Sequence, residues 1–287
     1  MTRSRPSRLR QLAALAAAAA VSLSACAVSE RGEGGGGTGG TLTFGAAGAP
    51  SLFDPFYAFD GETFRISRQM FEGLVDIEPG TSNLEAGLAT DWQPSEDGLS
   101  WTFDLQEGVT FHDGTAFDAE AVCANFERMF GQTGAGQSDA LSYYWIQSFG
   151  GFADGTAPSL YESCTAQDPA TAVIRLTRVT GQFPALLALD SFAMQSPTAM
   201  ARYRANDVRA QGEGFVFSDY ARAHPTGTGP FRFAGYDEAN GTVELARYEG
   251  YWGEPAKLDR LIFRVIPDET ARRQALEAGE IDGYDFP

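Results

Sequence analysis

Histidine and cysteine are scarce in this chain of 287 residues, which has two histidines, His112 and His224, and three cysteines. No two cysteines form a CxxC pair, and the sequence contains no GxSxG, HExxH or Walker motif. These absences argue against a zinc site and against common hydrolase and nucleotide-binding chemistry. The 38 acidic residues could supply a carboxylate pair, but no feature of the sequence selects one. We therefore predict a protein that is not an enzyme and that uses no metal and no cofactor.

Long apolar runs are absent apart from one, over residues 12–23. Twelve residues are too few for a transmembrane helix, which needs roughly 20, but they suit a signal peptide. The run follows four arginines without an acidic residue, and it ends at Leu23-Ser24-Ala25-Cys26, which resembles the processing site of bacterial lipoproteins. We predict that residues 1–25 are a lipoprotein signal peptide and that Cys26 carries lipid. The alternative is an ordinary signal peptide in which Cys26 is incidental.

The next segment, residues 26–40, contains the run RGEGGGGTGG and is predicted to be a flexible, lipid-anchored Gly-rich linker. Three of its glycines match the phosphate-binding pattern GxGxxG, but the pattern requires a strand before it and a helix after it, and neither is predicted here. We expect an exported protein that is held at the outer face of the cytoplasmic membrane, in the cell envelope.

Basic residues are few beside the acidic ones, 21 against 38, which gives a formal net charge of −17. Without the four arginines of residues 1–25, 17 basic residues remain and the net charge is −21. Such a chain is repelled by nucleic acid and by anionic lipid. We expect no nucleic-acid partner, and a membrane contact through the lipid anchor alone.

Two cysteines remain if lipid is attached to Cys26, namely Cys123 and Cys164. In an oxidising extracellular space such an even pair is expected to form a disulfide. Two separate buried thiols are the alternative.

Hydrophobic periodicity after residue 40 predicts strands and helices that alternate along the chain, which indicates an α/β fold. Strands are predicted over 41–46, 99–105, 172–177 and 261–266, with a hairpin formed by 229–236 and 242–248. Helices are predicted over 61–75, 118–130 and 268–278. The region around the three adjacent aromatic residues at 143–145 is predicted to be a loop.

Three segments carry a family resemblance: SLFDPFYAFDGETFRISRQMFEGLVDIEPG at 51–80, LEAGLATDWQPSEDGLSWTFDLQEGVTFHDGTAFDAEAV at 84–122, and 225–287 with its motifs GTGP, YWG, VIPD and AGEID. They resemble the bacterial extracellular solute-binding proteins of family 5, which serve ABC importers of peptides, nickel and related solutes. The resemblance implies a type II periplasmic-binding-protein fold, of which residues 41–287 form the first lobe with an inserted subdomain. In this family the chain crosses a hinge soon after GEID, so we expect the second lobe to be missing and 41–287 to be an incomplete domain.

The resemblance also implies a function, the substrate-binding component of an ABC importer. Such a protein captures a peptide or another small solute outside the membrane and delivers it to permease subunits. A lipid-anchored sensor or interaction module that does not transport is one alternative, and a fragment without function is another.

Candidate ligand contacts follow from matching the family's pattern to this sequence. The loop after the LDP-like motif gives Asp60, which could meet the ammonium group of a peptide; its alternative role is the N-cap of the helix that starts at 61. The aromatic segment of the inserted subdomain gives Tyr143, Tyr144 and Trp145, of which at least one is expected to pack inward. Tyr284, on the hinge side, is a further candidate.

Overall fold

The structure, a computed structural model, describes residues 39–285. The predicted signal peptide, Cys26 and all of the predicted linker except Gly39 and Gly40 lie outside the described residues. The strands, in chain order, are β1 Thr41–Ala46, β2 Val75–Ile77, β3 Leu84–Ala86, β4 Ala89–Pro94, β5 Ser100–Leu105, β6 Tyr161–Asp168, β7 Thr171–Leu176, β8 Arg209–Gln211, β9 Gly214–Val216, β10 Phe231–Asp237, β11 Thr242–Arg247, β12 Arg260–Val265 and β13 Gly283–Tyr284.

The α-helices are interspersed among these strands, in agreement with the predicted α/β fold. In chain order they are α1 Gly61–Ser67, α2 Ala119–Phe130, α3 Tyr143–Ser148, α4 Phe183–Leu186, α5 Pro197–Arg202, α6 Asp219–Ala223 and α7 Glu269–Glu277. Within residues 39–285, no helix is both long enough and apolar enough to cross a membrane.

The main sheet has five strands in the order β10-β11-β12-β1-β13. Strand β1 pairs in parallel with β12 and with β13, while β10, β11 and β12 pair antiparallel. One face of this sheet contributes Val243, Leu245 and Phe263 to a core that also contains Ile66 of α1. Because β1 is parallel to β12 and β13, the carboxyl ends of these three strands lie at the same edge of the sheet. The chain leaves β1 at that edge and continues toward α1.

A second, antiparallel sheet has the order β4-β5-β7-β6 and lies in the chain between β1 and β10, which is the arrangement of an inserted subdomain. Helix α2 packs on this sheet and places Val122, Phe126 and Met129 in the larger core. The disulfide that the sequence predicts is present in the structure: it joins Cys123 of α2 to Cys164 of β6, across a sequence separation of 41 residues. The covalent bond therefore ties the helix to the edge strand of its own sheet.

The first predicted helix is shorter than expected, because it ends at Ser67 rather than continuing to Val75. The backbone carbonyls of Gln69 and Met70 accept hydrogen bonds from Phe231 (3.0 Å) and Gly229 (2.9 Å), far along the chain. These contacts replace the helical hydrogen bonds that a longer helix would make, so tertiary pairing overrides the local pattern here.

A buried ion pair connects the segment after β1 to helix α2. Asp54 and Arg128 are almost completely buried, and the guanidinium of Arg128 also lies 5.3 Å from the ring centre of Tyr57. Burial raises the pKa of the Tyr57 hydroxyl to about 12, and this hydroxyl donates to Gln132 at 2.7 Å. The pair fixes the start of the loop that leads to α1.

Glu72 joins the first and third family-like segments. Its carboxylate accepts hydrogen bonds from the hydroxyl of Thr228 (2.6 Å), the hydroxyl of Tyr251 (2.8 Å) and the indole N–H of Trp252 (3.0 Å). A carboxylate can accept about four such bonds, so three donors satisfy most of its capacity. The motifs FEGL, GTGP and YWG thus meet at one carboxylate and have a structural role.

Candidate functional site

The loop before helix α1 presents an acidic cap beside an exposed aromatic ring. One oxygen of Asp60 accepts the backbone N–H of Thr63 at 2.8 Å, and the other accepts hydrogen bonds from the hydroxyls of Thr63 (2.9 Å) and Ser51. Asp60 is therefore the N-cap of α1, the alternative role that the sequence allows. The side chain of the preceding residue, Phe59, is 59% exposed.

Phe59 occupies the position before the cap, where an apolar side chain often packs on the fourth residue of the helix. That fourth residue is Phe64, and its ring instead meets the ring of Tyr144 edge-on, with ring centres 5.8 Å apart. The ring of Phe59 is left available at the surface next to Asp60. An apolar residue carries no signal of such exposure in the sequence, so the sequence alone does not indicate Phe59.

The aromatic triplet lies in helix α3, so the predicted loop at 143–145 is wrong. Consecutive residues of a helix point about 100° apart, which separates the three side chains. Tyr143 is 47% exposed, Tyr144 is half-buried against Phe64, and Trp145 is fully buried. The indole N–H of Trp145 donates to the carbonyl of Gly151 at 3.1 Å. Trp145 is the member of the triplet that packs inward, and in this structure its ring does not line a surface.

Tyr284 lies at the edge of the main sheet where β1 ends. It pairs with Gly45 of β1, and its ring centre is 6.0 Å from the guanidinium carbon of Arg272. The next residue, Asp285, forms an ion pair with Arg65 of α1. The guanidinium of Arg65 also pairs with Glu62 and lies over the ring of Phe44 at 5.3 Å.

Helix α1 is therefore the element that brings the sequence-predicted residues together. Its N-cap is Asp60, Tyr144 packs on its Phe64, and the strand that carries Tyr284 reaches it through Asp285 and Arg65. We call the surface around this helix the α1 face, made up of Phe59, Asp60, Glu62, Arg65, Tyr143, Tyr144, Tyr284 and Asp285. Trp145 does not belong to it.

The α1 face combines exposed or half-buried aromatic rings with one basic and three acidic side chains. Rings supply apolar contact area, and the charged groups can pair with the ionic ends of a small molecule. In the part of the chain that the structure describes, no cluster of three or more His, Cys, Asp or Glu side chains is arranged to hold a metal ion. The face suits contact with an organic solute.

Comparison with known proteins identifies a family. The family model described as "Bacterial extracellular solute-binding proteins, family 5 Middle" matches residues 83–287. Among curated proteins, the chain is 31% identical over 257 residues to "Heme-binding protein A" of Haemophilus influenzae, covering 86% of this chain and 44% of that protein. It is 29% identical over 255 residues to the "Dipeptide-binding protein" of Escherichia coli, covering 86% of this chain and 45% of that protein.

Solved structures agree with these sequence matches. The periplasmic binding protein DppA from Helicobacter pylori, in complex with the peptide STSA, superimposes with a TM-score of 0.68 at 29% identity. HbpA2 from Haemophilus parasuis gives a TM-score of 0.70 at 27% identity. Each match covers 86% of this chain but 46% and 47% of the solved chains, respectively. This chain spans less than half the length of the relatives it matches.

Proposed function

The chain belongs to the bacterial extracellular solute-binding proteins of family 5, and from this membership we propose that it is the substrate-binding component of an ABC importer. Its role would be to capture a peptide or a related small solute outside the membrane and to deliver it to permease subunits. The observation that carries the proposal is the family match over residues 83–287. The relatives named above are binding proteins for heme or a dipeptide, which supports a small organic solute.

We place the solute on the α1 face. The carboxylate of Asp60 accepts three hydrogen bonds, from Ser51 and twice from Thr63, which leaves about one of its four acceptor sites for an ammonium group. The rings of Phe59, Tyr143 and Tyr144 would contact an apolar side chain of the solute. Tyr284 would complete the face on the hinge side, while Trp145 supports it from within the core.

Binding by this face alone buries one side of a solute. Small-molecule sites normally bury 70–90% of the ligand surface, so a second surface has to close over the α1 face for tight binding. Because the relatives are more than twice as long as the segment that this chain matches, we propose that a second lobe, closing about the hinge, supplies that surface. The α1 face would then supply about half of the contacts.

We further propose that the protein is exported and lipid-anchored. The four arginines, the apolar run over 12–23 and the lipoprotein-like Leu23-Ser24-Ala25-Cys26 support cleavage before Cys26 and acylation of that residue. A Gly-rich segment over 26–40 would tether the folded part to the outer face of the cytoplasmic membrane. Its r.m.s. reach is on the order of 20 Å.

Native mass spectrometry tests the binding function. The purified chain is incubated with an equimolar mixture of di- to pentapeptides and sprayed under non-denaturing conditions. We expect adducts whose masses match members of the mixture and whose abundance falls in the Tyr144→Ala variant. The proposal would be overturned if the folded chain retains no member of the mixture and carries no co-purifying solute.

A further inference from the structure

A cavity of about 410 Å³ lies outside the α1 face, and both histidines of the chain line it. Its walls come from the turn at His112, the end of α5, the end of α6 and the start of β10. None of its lining residues belongs to the α1 face. The volume is within the range of small-molecule sites.

Two arginines line this cavity, Arg202 and Arg232, and both are exposed. Most exposed arginines of this acidic chain have a carboxylate partner, but neither of these two forms an ion pair within residues 39–285. Two guanidinium groups without an ion-pair partner among the described residues therefore lie at one cavity of a chain whose net charge is −17.

A stack of side chains orders one wall. The guanidinium of Arg202 lies over the ring of Tyr203 at 5.2 Å. The same ring stacks on the imidazole of His224, with ring centres 3.8 Å apart and an angle of 12° between the planes. His224 is exposed, and its ring nitrogens make no hydrogen bond within the described residues. The ring of Tyr203 thus holds both Arg202 and His224, while their side-chain nitrogen donors make no hydrogen bond within residues 39–285.

The cavity also holds one carboxylate, that of Asp113, whose negative charge offsets part of the charge of the two arginines. One oxygen of Asp113 accepts hydrogen bonds from the backbone N–H (3.0 Å) and the hydroxyl (2.6 Å) of Thr115, and the other accepts from the hydroxyl of Ser196 (2.6 Å). Asp113 is thus engaged within its own turn and with the cap of α5.

The second histidine is also engaged. The ring of His112 lies within hydrogen-bond distance of Gly229 O (Nε2, 2.9 Å) and accepts the N–H of Gly227 on Nδ1 (3.3 Å). Burial lowers the pKa of His112 to about 4, so this ring is neutral near pH 7. Within residues 39–285, the side-chain nitrogen donors of the cavity that have no acceptor are those of Arg202, Arg232 and His224.

We propose that this cavity binds a small oxyanion, a phosphate or carboxylate group, through Arg202 and Arg232, with His224 as a further donor. The planar guanidinium group matches both kinds of oxyanion, because it can donate two parallel hydrogen bonds to one group. The site is separate from the proposed solute site, since the two share no residue.

The presence of only two histidines makes proton NMR of the imidazole C–H signals a direct test. His224→Gln assigns the two signals by removing one of them. The full chain is then titrated at pH 7 with inorganic phosphate and, separately, with succinate, at an ionic strength held constant with sodium chloride. We expect a saturable shift of the His224 signal with at least one of the two anions. The anion that binds more tightly identifies the preferred group.

Variants separate a specific site from general screening by salt. Arg202→Ala and Arg232→Ala should each weaken anion binding by at least about tenfold, because each removes a charged donor. Arg178→Ala removes an exposed arginine outside the cavity and should bind like the parent. Far-UV circular dichroism and the melting temperature verify that each variant is folded. A His224 shift that does not saturate, or equal affinity in the parent, Arg202→Ala and Arg232→Ala, would overturn the proposal.

Discussion

Removal of the Cys123–Cys164 disulfide should cost about 4 kcal/mol of folding stability. The bond closes a loop with a sequence separation of 41 residues. In the chain-entropy model, closing a loop of that length lowers the conformational entropy of the unfolded state by about 13 cal/mol/K. At 25 °C this corresponds to about 4 kcal/mol. For a domain of 150–250 residues, each kcal/mol shifts the melting temperature by about 2–4 °C, so we expect a decrease of about 8–16 °C.

The assay is thermal unfolding followed by circular dichroism, with and without a reductant. A Cys123→Ala/Cys164→Ala variant should melt near the reduced parent and should not respond to the reductant, which controls for other effects of reduction. The slope of stability against urea concentration should rise in the variant, because its unfolded chain exposes more surface. If oxidised and reduced parent melt within about 2 °C of each other, the assignment of the stabilisation to loop closure is refuted.

Three further predictions concern Glu72, Asp60 and His112. Glu72→Gln should lower the free energy of unfolding by about 2–4 kcal/mol, because an amide cannot replace a carboxylate that accepts from three donors. Urea unfolding measures this change beside that of the exposed control Glu78→Gln, and an equal loss of stability in the two variants would contradict the prediction. Asp60→Asn should keep the helix cap through the remaining carbonyl oxygen, lose the acceptor shared by the hydroxyls of Ser51 and Thr63, and weaken binding of peptides with a free amino terminus, as measured by calorimetry. Unchanged peptide affinity would remove Asp60 from the site. The pKa of the half-buried His112 is lowered to about 4, against 6.5 in the unfolded chain, so its contribution to stability should be complete above pH 6.5 and lost as the pH falls toward 4, by up to about 3 kcal/mol. His112→Gln should show a flatter pH profile of stability over that window, and a parallel profile would contradict the assignment.

Much of the fold could be predicted from the sequence, because many elements are marked by strong local signals. The strand over 41–46 and the helix after Asp118 occur where periodicity and capping place them. Asp268 likewise caps helix α7, and Gly279 follows that helix at φ 73°. These signals depend on a residue and its near neighbours, so one sequence is enough to read them.

The structure differs from the sequence-based prediction at helix α1 and at residues 143–145, for different reasons. Helix α1 stops at Ser67 because the carbonyls of Gln69 and Met70 pair with a segment about 160 residues later. The triplet at 143–145 lies in a helix that the sequence does not indicate, because three adjacent aromatic residues show no helical periodicity within such a short window.

The candidate site was only partly accessible from the sequence. Matching to the family pattern selected Asp60, Tyr144 and Tyr284 separately, but their relation through helix α1 requires the tertiary structure. The ion pair of Arg65 with Asp285 joins residues 220 positions apart. No property of either residue alone indicates that pairing.

Isothermal titration calorimetry of the full chain with short peptides tests the central claim most directly, namely that the α1 face binds the solute. Phe59→Ala and Tyr143→Ala remove exposed rings of that face, and Val179→Ala removes a 64% exposed apolar side chain elsewhere as a matched control. We predict that a peptide which binds the parent binds each of the two ring variants at least about tenfold more weakly and binds the control equally well. Equal affinity for the parent and for both ring variants would contradict the account.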